Sequence, residues 1–148
     1  MKLKFLIAED NMTEQQKIKE ILQKRGIEFK IFSNFNNAVY GLQEDGGVEL
    51  SNPHNYTGVI TDINFPVSEN TDKERPFGFC LYKITEEKAK IPCIVCTNNN
   101  AHDDNGWVEM MFYAMGIQDD NVVVDKNWEK AVEKLIQKIK SKSLIDSL

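Results

Sequence analysis

Apolar positions along this chain follow two rhythms, one suited to buried strands and one to amphipathic helices. Residues 3–8 form a nearly continuous apolar run, as expected of a strand covered on both faces. Thr13 followed by Gln16 fits a capping box, Ile18, Ile21 and Leu22 give one apolar helix face, and Gly26 closes that helix. Residues 27–32 read as a second strand, and Asn36 is expected to cap a short helix carrying Ala38, Val39 and Leu42. A polar loop over 46–55 contains Pro53 and leads into a third strand over 56–62. Residues 67–76 are charged and lack an apolar period, so they read as a loop; Pro76 then opens a helix over 77–88. A very apolar fourth strand covers 91–96, and a polar loop covers 98–105. A helix over 107–115 ends at Gly116, a fifth strand spans 122–124, and a last helix spans 128–140. That helix shows Ala131, Val132, Leu135, Ile136 and Ile139 on one face.

Five strands alternating with helices predict a doubly wound parallel sheet with helices on both faces. Its right-handed crossovers would put helices on each side. The 148 residues suit one domain, over 1–141, with a short tail over 142–148. The net charge of −5 lacks the basic footprint of a nucleic-acid binder; the cationic stretch over 134–142 reads as the solvated face of the last helix. The N-terminal apolar run is too short for a signal peptide, and no stretch reaches membrane-spanning length, so a cytoplasmic protein is expected. Three cysteines in such a chain argue against a disulfide framework.

Ligands of an open α/β sheet bind at the carboxyl ends of the strands. There the first strand delivers Glu9 and Asp10, the third Asp62, the fourth Thr97 and the fifth Lys126. Three carboxylates in one crevice repel one another unless a cation is present. An all-oxygen, highly negative ligand set suits Mg²⁺, which also takes phosphate oxygens. Asp62 then has an oxygen free to act as a nucleophile and form an acyl phosphate, while a lysine ammonium and a threonine hydroxyl contact the other phosphoryl oxygens.

These residues resemble the receiver domain of two-component response regulators. Leu6-Ile7-Ala8-Glu9-Asp10-Asn11 resembles the family's first strand and acidic pair, and Val59-Ile60-Thr61-Asp62-Ile63-Asn64-Phe65-Pro66 its phosphoacceptor strand. Gly78 resembles the family's loop glycine, displaced by an insertion; Ile91-Pro92-Cys93-Ile94-Val95-Cys96-Thr97 and Val122-Val123-Val124-Asp125-Lys126 resemble its fourth and fifth strands. The resemblance implies a flavodoxin-like (βα)5 receiver fold. It implies a phosphoryl group accepted on Asp62 from a sensor histidine kinase or phosphotransfer protein. Glu9, Asp10, Asp62 and the backbone carbonyl of Asn64 would hold Mg²⁺, Lys126 would pair with phosphorylated Asp62, and Thr97 would swing towards the phosphate. The chain would signal through an unknown downstream protein, a homodimer or onward phosphotransfer, and would be no enzyme beyond its own phosphorylation and dephosphorylation.

The chain departs from the family pattern in places. Glu9 stands where aspartate is usual, residues 67–76 and 98–105 are longer than usual, Asn127 replaces a proline, and Val123 replaces an aromatic. The alternative reading is a receiver-like module that is never phosphorylated and acts as a constitutive interaction domain. An aspartate-nucleophile phosphatase is disfavoured because Asn64 stands where a second carboxylate would act, and a flavodoxin because Glu9 and Asp10 would repel an FMN phosphate. Cys93 and Cys96 are three apart in a strand, so they should face opposite ways and read as core. His54 and His102 lie in polar loops without metal-ligand partners, and most of Trp107, Met110, Met111, Phe112 and Met115 should be core, with part of that helix free to face a partner.

Overall fold

The computed structural model describes residues 2–45, 47–98 and 106–148. The chain runs β1 (Lys4–Ala8), α1 (Met12–Lys24), β2 (Glu28–Phe32), α2 (Phe35–Tyr40), β3 (Gly58–Thr61), β4 (Phe65–Pro66) and β5 (Glu74–Arg75). It continues through α3 (Phe77–Ile84), β6 (Cys93–Cys96), α4 (Trp107–Ala114), β7 (Val122–Val123) and α5 (Trp128–Asp146). Five strands form a parallel sheet in the order β2-β1-β3-β6-β7, as the doubly wound pattern predicts.

The near-continuous apolar strands are explained by burial on both faces. Leu6, Ala8, Val59, Cys93 and Val95 pack with Ala38 of α2, Phe79, Leu81 and Tyr82 of α3, and Val108 and Phe112 of α4. Phe5, Ile7, Ile60, Ile94, Cys96 and Val123 pack with Ile18 and Leu22 of α1 and with Trp128, Ala131, Val132, Leu135 and Ile139 of α5. Cys93 and Cys96 therefore lie in opposite cores, as their spacing requires, and burial pushes the Cys93 thiol up to about 12.

Several boundaries differ from the sequence reading. Thr13 does not cap α1; the Asn11 side chain accepts from the Glu14 amide at 3.0 Å, which starts the helix two residues earlier. Asn36 likewise lies inside α2, which Asn34 caps by accepting from the Asn37 amide at 2.9 Å. Within 67–76 only residues 67–73 form a loop, closed at its base by the antiparallel pair β4–β5. The helix after Pro76 is α-helical only to Ile84 and then widens into a π turn, Thr85–Ala89. That turn lets Glu86 accept from the amide of Cys93 at 2.8 Å and from the Lys138 ammonium, tying α3 to β6 and α5. The last helix continues to Asp146, past the end at residue 140 that the sequence pattern predicts. On α4, Phe112 is buried and Met111 and Met115 are partly buried, whereas Met110 and Tyr113 are exposed. Most of the loop over 98–105, with His102, lies outside the described residues.

Candidate functional site

Sheet register aligns the carboxyl ends of four strands. Ala8 pairs with Thr61, Thr61 with Val95, and Cys96 with Val123. The ladder then continues one residue further: the Glu9 amide donates to Phe32 O at 3.0 Å, Asp62 to Ala8 O at 3.0 Å, and Thr97 to Val123 O at 2.9 Å. Glu9, Asp62 and Thr97 are thus held by backbone at the rim, where neighbouring β1 and β3 lead away in opposite directions, the place an open α/β sheet forms its crevice. Asp62 is further fixed because its Oδ1 accepts from the Ile63 amide at 2.7 Å.

Lys126 arrives by a strained turn. Asp125 and Lys126 both have left-handed backbones (φ 58° and 49°), a conformation that costs on the order of 1 kcal/mol or more per residue outside glycine. The turn is secured by the Lys126 amide, which donates to Thr97 O at 3.1 Å, and by the Asn127 amide, which donates to Val124 O at 3.3 Å. Asn127 also caps α5 by accepting from the Lys130 amide at 3.2 Å. A proline at that position could supply neither the amide donor nor the cap. The result places the Lys126 ammonium 2.7 Å from Asp62 Oδ2, in contact with Glu9 Oε1, and 5.3 Å from the ring centre of Trp128.

These groups line a cavity of about 360 Å³ together with Asp10, Asn11, Asn64, Glu74 and Asn98. Larger depressions lie beside β2, lined by no carboxylate, and beside α4, lined by Glu109 and Asp119 among mostly apolar side chains. Glu9 is the deepest acid, 1% exposed, with Oε2 accepting from the Asn11 amide at 3.0 Å; Asp62 is 13% exposed and faces the opening. Burial lifts Glu9 to about 7, with Asp62 adding to the shift and Lys126 opposing it. Burial and then the neighbouring Glu74 lift Asp10 to about 6. For Lys126 burial acts downward, but Asp62 and Glu9 outweigh it and hold the ammonium above its ordinary range.

Oxygen atoms of Glu9, Asp10 and Asp62 all lie within 4.8 Å of one another. Against three carboxylates there is one lysine, so the cluster, fully ionised, carries two uncompensated negative charges. Hard oxygen donors with that deficit fit a divalent cation of the Mg²⁺ or Ca²⁺ kind. All the side chains singled out from the sequence are brought together here, and Asn64 lines the same cavity.

One contributor was not legible in the sequence. Glu74 stands in a stretch that carries no motif, and only the β4–β5 pairing carries it back to the rim. Gly78 resembles a loop glycine but forms the first turn of α3; a Cβ there would lie 1.9 Å from Asp62 O and 2.7 Å from Ile63 Cα.

No protein-family profile and no curated protein matches the sequence. Solved structures do match. A CheY-like response regulator receiver domain protein from Methanospirillum hungatei JF-1 is 15% identical with a TM-score of 0.69, over 97% of this chain and 98% of that one. A response regulator receiver domain protein from Clostridium thermocellum is 18% identical with a TM-score of 0.67, over 97% and 98%. A response regulator protein from Burkholderia pseudomallei, solved with a phosphorylated aspartic acid, calcium ion and citrate, is 15% identical with a TM-score of 0.60, over 99% of this chain and 75% of that one. From strand order to the full span of the chain, this protein has the fold of a CheY-like response regulator receiver domain.

Proposed function

We propose that this chain is a phosphorylation-controlled signalling module that accepts a phosphoryl group on Asp62. The observation that carries the reading is the convergence of Asp62, Lys126, Glu9 and Asp10 in one cavity at the strand reversal. The donor is a phosphohistidine of a sensor histidine kinase or phosphotransfer protein. A bond forms from an Asp62 carboxylate oxygen to phosphorus as the phosphorus–nitrogen bond breaks, and its electron pair leaves with the imidazole nitrogen. Lys126, already on Asp62 Oδ2, is placed to pair with the acquired phosphoryl charge. The rigid backbone around Asp62 orients the nucleophile, so little reorganisation is needed at the moment of transfer.

Glu9, Asp10 and Asp62, with the carbonyl of Asn64, are the residues that would hold Mg²⁺. The ion neutralises charge on the phosphoryl oxygens when bound. The chain assists its own phosphorylation and dephosphorylation and turns over no other substrate. Output passes to a partner protein in the cytoplasm, with no nucleic-acid or membrane role. Exposed Met110 and Tyr113 on α4, beside a depression lined by Phe112, Ile117, Val122 and Val124, support output by protein contact. None of the described helices is long and apolar enough to cross a membrane.

The test is incubation with acetyl phosphate and Mg²⁺, with the adduct located by peptide mapping. An acyl phosphate on Asp62 supports the reading. Folded protein that takes no phosphoryl group from acetyl phosphate or from phosphorylated histidine kinases leaves the constitutive interaction module as the account.

A further inference from the structure

The insertion over 67–76 is tied down at both ends and in the middle. Phe65 pairs with Arg75 and Pro66 with Glu74. The Asn36 amide donates to Val67 O at 2.9 Å, and the Asn37 side chain donates to Glu69 Oε1 at 2.9 Å. The register therefore fixes Glu74 opposite a residue two positions after Asn64. From there its carboxyl group comes beside that of Asp10 and lines the same cavity. Glu74 stands outside the tight triad of Glu9, Asp10 and Asp62, so it acts from the rim and through Asp10.

Two carboxyl groups in contact are mutually repulsive when both are ionised, and a nearby cation relieves that repulsion. We propose that Glu74 is a positioning residue for the cation site, orienting Asp10 and adding a fourth negative charge that raises the pocket's affinity for a divalent cation. The inference rests on the reading of the pocket as a Mg²⁺ site. It makes the insertion a part of that site, carried in from outside the core pattern of strand ends.

The experiment is a Mg²⁺ titration of the full chain at pH 8, read by equilibrium dialysis and by tryptophan emission, since the Trp128 ring lies 5.3 Å from Lys126 Nζ. Glu74→Gln is expected to weaken Mg²⁺ about fivefold, the scale of one removed charge acting through a solvent-like dielectric. Glu74→Asp should recover part of the loss. Glu69→Gln, which removes a charge from the same insertion at its Asn37 anchor, should leave affinity unchanged. Glu74→Gln binding as tightly as the parent, or a Glu69→Gln loss of equal size, overturns the inference while the Mg²⁺ site stands. If the folded parent binds no Mg²⁺, the reading of the pocket fails, and the inference with it.

Discussion

Asp62 is constrained from behind as much as from the pocket. Gly78 packs against its carbonyl so closely that a methyl group would collide with backbone atoms of Asp62 and Ile63, which cannot rotate away. Gly78→Ala should therefore cost about 2 kcal/mol or more, visible as a lower urea midpoint at unchanged slope, and should also lower phosphoryl uptake at Asp62. The acids of the pocket make a second expectation. Glu9 is lifted to about 7 and Asp10 to about 6, in each case by burial first, so the folded chain keeps protons that unfolded carboxyls release near pH 4. Their stabilising contribution is full below that range and is lost as pH climbs through 7. Thermal melts in a chelator should show a falling Tm from pH 5 to pH 8, and added Mg²⁺ should raise Tm more at pH 8 than at pH 5. A Tm that climbs over that interval, or a Mg²⁺ shift of equal size at both pH values, would count against the site. Asp62, Glu9, Asp10, Thr97 and Lys126 were legible because each directly follows a strand or closes the turn after one. Glu74 was not, because its place depends on a pairing between two-residue strands that leave no periodic signal.

At the scale of elements, a capping motif in the sequence does not decide where a helix starts. Thr13 and Gln16 have capping-box spacing, yet Asn11 holds the cap. Asparagine is at least as good a cap as threonine, and Asn11 follows the acidic pair directly, so the chain turns into the helix without delay. Asn11→Ala should cost about 1 kcal/mol in chemical denaturation and Thr13→Ala much less; equal losses would contradict the observed cap. The strands of the five-stranded sheet were located to within a few residues, and its central strands β1, β3 and β6 are buried on both faces. Ends were less legible: the π turn at Thr85–Ala89 answers to Glu86 reaching Cys93 and Lys138, contacts between elements that no local pattern contains. The extension of α5 to Asp146 adds residues whose apolar members, Leu144 and Ile145, are exposed, so burial gave no cue there.

For the molecule as a whole, the order β2-β1-β3-β6-β7 does the functional work: it sets Glu9 and Asp62 on adjacent strands at the reversal and brings Lys126 across from β7. The alternation of strands and helices made this architecture readable before any contact was known. Asn127 and Val123 mark where this chain parts from the receiver pattern, and the structure gives Asn127 a role of its own, as amide donor and cap for the turn that carries Lys126. The claim that unites the fold and the site is a Mg²⁺-dependent acyl phosphate on Asp62. Intact-mass spectrometry of the parent and Asp62→Asn, each with acetyl phosphate in Mg²⁺ or in chelator, tests it most directly. The account predicts a gain of one phosphoryl group in the parent with Mg²⁺ alone, lost in chelator and absent in Asp62→Asn. An adduct of equal yield in Asp62→Asn, or none in folded parent under any donor, would contradict it.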